Sequence, residues 1–275
     1  MKNCKNKEFS MQLHTIGILG TGMIGSALAR LCVEQGYDVI LSQSKNASAL
    51  KQSLGDKAKI ASVEEVAFQS DLVIAAIPFS AYQMLPVKAL SSKIVIETMN
   101  YYPSVRDGHF PDLDQAHLTS SEMIQHHLKD SFVVKALHNL DFHHLYANAR
   151  PLNHPERTTL PVAGDDEAAK QTVIEFIQHI GYNAVDIGTL SESWRIEPGT
   201  PLYVWPYVPT IPDEFNEEQA RQYYLTHAGK PLTASQVKEM AANTQRHFPV
   251  GGYAEDLPTI HTQLVAEIYQ QRQAK

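Results

Sequence analysis

The stretch Thr15-Ile-Gly-Ile-Leu-Gly-Thr-Gly-Met-Ile-Gly25 decides the fold of this chain. Its apolar run 16–19 predicts a buried strand, which leads directly into the pattern Gly20-x-Gly22-x-x-Gly25. After the glycines, apolar residues recur at the spacing of one helix face: Ile24, Ala27, Leu28, Leu31 and Cys32. A strand, the glycines and a helix in this order are typical of a dinucleotide-binding turn, and a glycine-rich turn without a ligand is the alternative.

Each glycine of this turn has a separate physical reason. Gly20 permits the tight turn, Gly22 lets the backbone approach a pyrophosphate, and Gly25 lets the helix pack closely on the strand. The N-terminus of the helix adds free N–H groups and a partial positive charge. The sequence therefore predicts that residues 20–25 bind the pyrophosphate of a dinucleotide.

Composition and charge exclude several classes of function. The chain has 275 residues, of which 43% are hydrophobic, and this is enough to bury a sizeable core. Its net charge of −7 and the lack of a basic cluster argue against nucleic acid and anionic membrane surfaces as partners. Cys4 and Cys32 give neither a disulfide framework nor a metal-ligand spacing. We therefore expect a cytoplasmic protein with no metal site and no membrane segment, acting on a small molecule.

Residues 1–12 are polar and carry lysines but no apolar core segment, so they do not resemble a secretory signal. We expect them to form a disordered lead-in. Translation starts at Met1 or at Met11, and the sequence leaves this open.

The end of the second strand indicates which dinucleotide binds. Residues 37–41 predict this strand, and NAD-binding proteins place an acidic residue just beyond it to hold the ribose 2′-hydroxyl. No acidic residue occurs between positions 39 and 48. Instead the strand is followed by Ser42, Gln43, Ser44 and Lys45, and hydroxyls with a lysine suit a 2′-phosphate. This favours NADP over NAD, and an ordinary polar turn is the alternative.

The remaining pattern predicts an α/β fold of the Rossmann type, with a doubly wound, mostly parallel sheet. Further strands are predicted over residues 59–61, 71–77, 93–96, 132–137, 159–163 and 184–187. Helices are predicted over residues 63–69, 82–90, 119–128 and 164–180, and loops over residues 103–118 and 141–158. The apolar run 71–77 ends at Pro78 and Phe79, where a loop at the carboxyl edge of the sheet should contact the cofactor.

The composition changes after Gly199, where prolines punctuate a segment that contains Tyr203, Trp205 and Tyr207. We divide the chain into a Rossmann domain over residues 13–204 and a helical C-terminal extension over residues 205–275. Helices are predicted over residues 216–227, from residue 233 onwards and over residues 259–271. The apolar face of the last helix either folds back onto the main domain or contacts a second subunit, as in a homodimer.

Six motifs in one order resemble a known family. They are Gly-Thr-Gly-Met-Ile-Gly (20–25), Leu-Ser-Gln-Ser-Lys (41–45), Ala-Ile-Pro-Phe (76–79), Glu-Thr-Met-Asn-Tyr-Tyr (97–102), Val-Lys-Ala-Leu-His-Asn (134–139) and Pro-Val-Ala-Gly-Asp-Asp (161–166). This series, with the segment 186–201, is similar to the NADP oxidoreductases that depend on coenzyme F420. The resemblance covers residues 13–204. The reductase domain of the STEAP ferric reductases belongs to the same broad group, and pyrroline-5-carboxylate reductases are more distant relatives.

The resemblance implies that NADP(H) exchanges hydride with a flavin or a deazaflavin such as coenzyme F420 at the carboxyl edge of the sheet. By position, it assigns the pyrophosphate and nicotinamide side to Thr21, Met23 and Ile24, and the 2′-phosphate to Ser42, Ser44 and Lys45. It assigns the wall around the nicotinamide to Ile77, Pro78, Asn100, His138 and Asn139. His138 and Asn139 are the catalytic candidates, with His138 as a donor to a reduced or anionic acceptor. A histidine satisfied at a strand end is the alternative.

The chain also departs from this family. Lys45 stands where arginine is usual, Tyr101 replaces a proline and His138 replaces an asparagine. The chain also continues for about 70 residues beyond the usual end. These departures concern the second substrate more than the dinucleotide.

We therefore predict an NADP(H)-dependent oxidoreductase that passes hydride to a flavin, a deazaflavin or another small acceptor. An imine or pyrroline-carboxylate reductase is one alternative, and a non-catalytic NADP(H)-sensing protein is another. An open cleft over the nicotinamide favours the enzyme, whereas a cleft filled by residues 200–275 favours the sensor.

Two further clusters are interpreted as structural. His143 and His144 with His138 and Asp141 suggest a metal, but adjacent histidines in a predicted loop need not face one centre. Arg195 and Glu197 are expected to form a structural ion pair, and a contact to a partner subunit is the alternative.

Overall fold

Strands of four to six residues, most of them apolar, form one eight-stranded sheet in the computed structural model, which describes residues 13–273. The predicted lead-in, residues 1–12, lies outside the described residues. The strands are β1 (Thr15–Leu19), β2 (Asp38–Ser42), β3 (Ala58–Ala61), β4 (Leu72–Ala75), β5 (Ile94–Glu97), β6 (Phe132–Lys135), β7 (Thr159–Gly164) and β8 (Asn183–Gly188).

The strand order is β3-β2-β1-β4-β5-β6-β7-β8. Strands β1 to β6 pair in parallel, β7 pairs antiparallel with β6, and β8 is parallel to β7. The order reverses between β1 and β4, which creates a crevice at the carboxyl ends of these strands. The predicted Rossmann-type, doubly wound and mostly parallel sheet is confirmed.

Helices cover both faces of this sheet. They are α1 (Met23–Glu34), α2 (Ala47–Leu54), α3 (Val63–Gln69), α4 (Val87–Leu90), α5 (Pro111–Asp114), α6 (Ser120–His127), α7 (Phe142–Ala147), α8 (Glu167–His179), α9 (Glu217–Thr226), α10 (Ala234–Asn243) and α11 (Thr259–Gln273). One core packs around Leu28 of α1 and Phe176 of α8, and the other around Val66 of α3 and Ile124 of α6. Buried on both faces, β4 is apolar at every position, as a central parallel strand requires.

Side-chain caps begin several helices where the sequence predicts them. Capping boxes are formed by Ser62 with Glu65, Thr119 with Glu122, Asn216 with Gln219 and Thr233 with Gln236. In each box the first residue accepts a bond from the backbone N–H three positions on, and the side chain at that position accepts one in return. Just after α1, Gly36 adopts the left-handed region at φ 92°, as expected for a residue beyond a helix end.

Two segments that the sequence predicts as loops contain helical structure. Within residues 141–158, α7 begins because the Asp141 carboxylate accepts bonds from the backbone N–H groups of His143 and His144. Within residues 103–118, a π-helical turn over Pro103–Asp107 is followed by the short α5. The start of α7 thus depends on a polar side chain that caps its own backbone, and hydrophobic periodicity does not reveal such a cap.

Other boundaries also differ from the sequence prediction. The helix predicted over residues 82–90 is a 3₁₀ turn over Phe79–Met84 followed by α4, because Pro86 interrupts it. The pattern did not predict α2. The segment around Tyr203 and Tyr207, predicted to be extended, contains a 3₁₀ turn over Trp205–Tyr207.

The described part of the C-terminal extension folds back onto the sheet domain. Val237 and Ala241 of α10 pack against Val185 of β8, while Ile260 and Leu264 of α11 pack in a cluster around buried tyrosines. Of the two alternatives for the last helix, the structure therefore shows the intramolecular one. The helices within residues 13–273 are too short or too polar to serve as transmembrane spans.

Candidate functional site

A cavity of about 620 Å³ lies at the carboxyl edge of the sheet, where the order of the strands reverses. The loops after β1, β4, β5 and β6 meet there because parallel strands end at one edge. From these loops, the cavity is lined by Met23, Ile24, Ile77, Pro78, Asn100 and His138. With Gly22, the structure thus brings seven of the predicted site residues together around one space of ligand size.

The glycine turn has the geometry that a dinucleotide requires. Gly20 has φ 101°, and a Cβ on it would collide with the Ala76 carbonyl oxygen. A Cβ on Gly25 would collide with the carbonyl oxygen of Gly20, so this glycine allows α1 to approach β1. Gly22 lines the cavity, and a Cβ there would meet nothing within 4 Å, so space for a ligand remains beside its backbone.

The N-terminus of α1 is suited to an anion. Its N-cap, Gly22, has no side chain to occupy the first N–H groups, and the first turn carries no acidic residue. These N–H groups and the helix dipole therefore point at the glycine turn without a competing carboxylate. The residues present fit a pyrophosphate at this position.

Hydrogen bonds join the glycine turn to the end of β2. The Gly20 N–H donates to the Ser42 hydroxyl at 3.0 Å, and the hydroxyls of Thr21 and Ser44 share a short hydrogen bond. Gln43, Ser44 and Lys45 are exposed beside this junction. Two serine hydroxyls and a lysine thus follow one another at the end of β2, beside the glycine turn and outside the cavity wall.

Asn100 and His138 present unsatisfied acceptor atoms. The Asn100 amide donates to the His138 carbonyl at 3.1 Å, while its Oδ1 is buried and has no partner among the described residues. His138 Nε2 lies 2.9 Å from the Ile196 carbonyl, which can only accept, so Nε2 carries the proton. In the neutral ring Nδ1 is therefore an acceptor, and it too lacks a partner within residues 13–273.

Burial and the positive charge of Lys135 hold the pKa of His138 well below its usual range, although the carbonyls of Ile196 and Ala136 act in the opposite direction. The ring is consequently neutral near pH 7. Its Nδ1 is buried and does not face the cavity, and the donor role that the sequence suggested stays a prediction.

Asn139 and Phe79 lie outside the cavity wall. Asn139 donates from Nδ2 to the carbonyls of Ile196 and Leu202, at 3.1 and 2.8 Å, and so holds the segment that follows β8. Phe79 is fully buried and stacks on Tyr82, with ring centroids 5.2 Å apart. These two side chains therefore pack outside the cavity and do not contact its interior.

A buried ion pair, which the sequence analysis did not identify, positions the loop that carries Asn100. Glu97 and Lys135 are register partners at the ends of β5 and β6, fully buried, with Nζ 3.0 Å from Oε1. Lys135 Nζ also donates to the Met99 carbonyl at 2.5 Å, and the Met99 N–H donates to Glu97 Oε2 at 3.0 Å. The sequence contains a signal for this pair, because two apolar strands each end in a charged residue of opposite sign.

The cluster that suggested a metal is a hydrogen-bonded ion pair. His144 Nδ1 lies 2.7 Å from Asp141 Oδ2, which also accepts a bond from the Tyr224 hydroxyl at 2.7 Å. Burial works to raise the pKa of Asp141, but the hydrogen bond and the charge of His144 outweigh it, so the pKa is lowered. Among the described residues, no group of three or more potential ligands could hold a metal ion. The cluster joins α7 to α9.

The expected ion pair between Arg195 and Glu197 is wrong. Arg195 pairs with Glu192, three positions earlier in the same 3₁₀ segment, and stacks its guanidinium over the Trp194 ring at 4.4 Å. Glu197 instead accepts a hydrogen bond from the Ser120 hydroxyl at 2.7 Å. Arg195 thus pairs with the residue one helical turn earlier, Glu192, although Glu197 is closer to it in sequence.

The C-terminal extension supplies the outer wall of the cavity. Leu257, His261, Val265 and Tyr269 line it from α11 and the turn before it. Residues 205–273 thus cover the cleft without filling it. Sequence reasoning did not assign this wall, because the direction in which α11 folds back depends on contacts far apart in the chain.

Comparison with known proteins agrees with this arrangement. Residues 15–101 match the model of the family described as NADP oxidoreductase, coenzyme F420-dependent, so the resemblance noted in the sequence is confirmed over this stretch. The match spans the glycine turn, the end of β2 and the loop that reaches Asn100.

A curated relative, Metalloreductase STEAP3 of Rattus norvegicus, is 27% identical over 208 residues, covering 74% of this chain and 40% of the relative. The chain spans about two fifths of the length of the curated relatives that it matches. A solved structure of a hypothetical protein from Sinorhizobium meliloti is 26% identical, with a TM-score of 0.60, covering 71% of this chain and 95% of that one. A candidate F420-dependent NADP-reductase from Arthrobacter sp. FB24, at 19% identity and a TM-score of 0.56, covers 66% of this chain and 87% of that one, and shows the shared fold.

Proposed function

We propose, on the premise that residues 15–101 match the F420-dependent NADP oxidoreductases, that this protein is an NADP(H)-dependent oxidoreductase acting on a small acceptor. The observation that carries the proposal is the cavity at the carboxyl edge of the sheet. It joins the glycine turn, which suits a pyrophosphate, to a wall that carries the polar residues Asn100, Tyr102 and His138.

The residues proposed to hold the cofactor divide into three groups. Gly20, Thr21, Gly22 and Gly25 with the N-terminus of α1 bind the pyrophosphate. Ser42, Gln43, Ser44 and Lys45 surround the 2′-phosphate. Met23, Ile24, Ile77, Pro78 and Asn100 contact the nicotinamide end, with His138 beside them in the same wall. When bound, NADPH supplies a hydride, and the chain supplies position and exclusion of water.

The open cavity favours an enzyme over a non-catalytic sensor. Residues 205–273 form a wall over the cleft, but about 620 Å³ remains, within the range of small-molecule sites. A nicotinamide ring does not fill such a space, so a second ligand has room beside it. A flavin, a deazaflavin or another small oxidised molecule is the proposed acceptor class.

Cytoplasmic location and a homodimer are also proposals. A buried free thiol at Cys32 suits a reducing compartment, where NADPH is regenerated. The exposed Tyr269 on α11 is a candidate contact for a second subunit. Sedimentation analysis of wild type and Tyr269→Glu tests the dimer.

Cofactor choice is tested by calorimetric titration with NADPH and NADH. We expect tighter binding of NADPH, and Ser44→Ala or Lys45→Ala should weaken it about tenfold each, because charge-assisted hydrogen bonds to the 2′-phosphate are lost. Binding of NADH should change little in these variants. Lys51→Ala on α2 is the matched control, and equal wild-type affinities for the two dinucleotides would contradict the assignment of residues 42–45.

The acceptor is tested by anaerobic mixing of the NADPH complex with FMN and with coenzyme F420, following the nicotinamide absorbance. Oxidation by either one supports a flavin-linked reductase. Tight binding of NADPH without its oxidation by FMN, coenzyme F420, an aromatic aldehyde or a cyclic imine would contradict the enzyme and leave the sensor.

A further inference from the structure

Two tyrosines in the cavity wall form a hydrogen-bonded pair of phenols. Tyr102 follows β5, and Tyr203 lies in the segment after β8; both line the cavity. Their hydroxyls share a short hydrogen bond, and the Asn100 amide also donates to the Tyr203 oxygen at 3.4 Å. The pair is thus connected directly to a residue proposed to contact the nicotinamide.

The two phenols carry two hydroxyl hydrogens but share one hydrogen bond, so one hydrogen is not used within the pair. If Tyr102 donates to Tyr203, the hydrogen of Tyr203 has no acceptor among the described residues. If Tyr203 donates to Tyr102, the same holds for the hydrogen of Tyr102. Either arrangement therefore leaves one O–H donor for a molecule in the cavity.

The phenols keep their protons near neutral pH. Burial raises the pKa of Tyr102 to about 12, against the hydrogen bond from Tyr203, and burial with the neighbouring Tyr102 raises that of Tyr203 further. The pair can therefore donate a proton, and it does not act as a phenolate base.

The rest of the wall indicates what kind of acceptor suits this donor. It is mostly apolar, and Arg106 is its sole lysine or arginine within residues 13–273. The Arg106 guanidinium already donates to both carboxylate oxygens of Asp107, at 2.9 and 2.8 Å, and to the Asn100 carbonyl at 2.6 Å. These bonds engage Nε and Nη2, so a phosphate tail of a flavin or deazaflavin would find only the Nη1 group of one arginine in the described wall, whereas a neutral compound needs no cation.

We propose that the Tyr102–Tyr203 pair is the proton donor for an acceptor with a polar C=O or C=N double bond, carried by a neutral, largely apolar molecule. This inference rests on the proposed function and names the substrate class for the same site. Hydride from NADPH forms a C–H bond at the carbon, and the electron pair of the double bond moves to the oxygen or nitrogen. That atom takes the phenol proton, the phenolate regains a proton from water, and NADPH becomes NADP⁺.

The test compares wild type with Tyr102→Phe, Tyr203→Phe and the double variant. The probes are 4-nitrobenzaldehyde for C=O and 3,4-dihydroisoquinoline for C=N. FMN and coenzyme F420 are tested beside them as flavin and deazaflavin acceptors. Each single variant retains one phenol, so we expect a loss of less than about tenfold in kcat. The double variant has no donor, and its kcat should fall about 100-fold or more.

Binding supplies a readout that does not depend on turnover. Benzamide, whose carbonyl accepts a hydrogen bond, should bind the NADP⁺ complex about tenfold more weakly in the double variant, because one buried hydrogen bond is lost. The affinity for NADPH should stay within about twofold, since neither phenol is assigned to the cofactor. A purely structural role would instead lower NADPH affinity and the unfolding midpoint together.

Tyr207→Phe is the matched control, because the Tyr207 hydroxyl is buried, has no partner among the described residues and does not line the cavity. It should leave kcat and benzamide binding unchanged. Equal oxidation of NADPH by the C=O or C=N probes in wild type and double variant would overturn the proposal, as would equal benzamide affinity. If only FMN or coenzyme F420 oxidises NADPH, the phenol-pair proposal is overturned while the proposed oxidoreductase function stands. If no acceptor oxidises NADPH, both the phenol-pair proposal and the proposed function are contradicted.

Discussion

Three residues that line the cavity have a buried polar atom without a partner in the described part of the chain: Asn100 Oδ1, His138 Nδ1 and His261 Nδ1. Buried polar atoms in native proteins nearly always have hydrogen-bond partners, so three such atoms in the residues of one cavity set this region apart from the rest of the core. Asn100 and His138 belong to the wall proposed for the nicotinamide. His261 comes from α11, and burial lowers its pKa, which leaves the ring neutral and able to accept.

The buried neutral His138 should make stability depend on pH. Its pKa is lowered in the folded state. Below the usual histidine pKa of about 6.5, the His138 ring is therefore protonated in the unfolded chain but stays neutral in the folded chain. Stability contributed by the neutral ring is therefore present above about pH 6.5 and is lost as the pH falls. Between pH 7.5 and 5.5, wild type should lose about 1.4 kcal/mol more free energy of unfolding than His138→Asn.

Denaturant unfolding at the two pH values measures this difference. His138→Gln is a second variant whose longer side chain can still donate an N–H to the Ile196 carbonyl, so it separates the loss of titration from the loss of that bond. An identical pH dependence in wild type and both variants would show that His138 takes up its proton in the folded state.

At the scale of elements, helix starts follow side-chain chemistry that the sequence reveals. The residues of each capping box satisfy two backbone N–H groups reciprocally, and this local rule requires no knowledge of the fold. Helix α7 begins by a related rule at Asp141, but the same carboxylate also accepts from Tyr224 of α9. Its cap is thus part of a tertiary contact, and the surrounding residues 141–158 lack an apolar period that would have predicted a helix.

Substitution of two capping residues by alanine should lower the free energy of unfolding by different amounts, because the hydroxyls of the two residues have different additional partners. Thr119 is buried, and its hydroxyl accepts from the Glu122 N–H and donates to the Leu190 carbonyl at 2.9 Å. Ser62 caps α3 near the surface. We expect Ser62→Ala to lower the free energy of unfolding by about 1 kcal/mol and Thr119→Ala by about 2 kcal/mol.

Thermal and denaturant unfolding of both variants provides the comparison. Thr119→Ser keeps the hydroxyl and should recover most of the loss. A Thr119→Ala variant no less stable than Ser62→Ala would argue that the bond to Leu190 contributes nothing.

At the scale of the whole molecule, the C-terminal extension decides the shape of the site. Val265 of α11 lines the cavity, whereas the adjacent Ala266 is exposed. The wall that receives the acceptor therefore comes from a part of the chain beyond the residues matched by the family model.

Filling the cavity from α11 should block the acceptor. Val265→Trp adds bulk inside the cavity and is expected to lower kcat/KM for the acceptor about 100-fold by displacing it from the nicotinamide. Ala266→Trp places the same side chain on the exposed side and should have little effect. Stopped-flow oxidation of bound NADPH measures both, and equal rates in the two variants would contradict the assignment of α11 as the cavity wall.

The sequence by itself determined the Rossmann-type sheet, the glycine turn and most helix starts. These features arise from short-range causes: runs of apolar residues set the strands, Gly20 and Gly25 are required by backbone contacts, and capping residues act within four positions. The polar cluster after β2 was also readable, because its place follows from the glycine turn and the next strand.

Only the tertiary structure decided the rest. The ion pair of Glu97 with Lys135 depends on strand register, and the phenol pair joins Tyr102 to Tyr203 across about one hundred residues. Whether α11 folds back or contacts another subunit depends on which apolar surface lies within its reach. Sequence periodicity shows that a face must be buried, but the partner is selected by long-range packing, which periodicity does not encode.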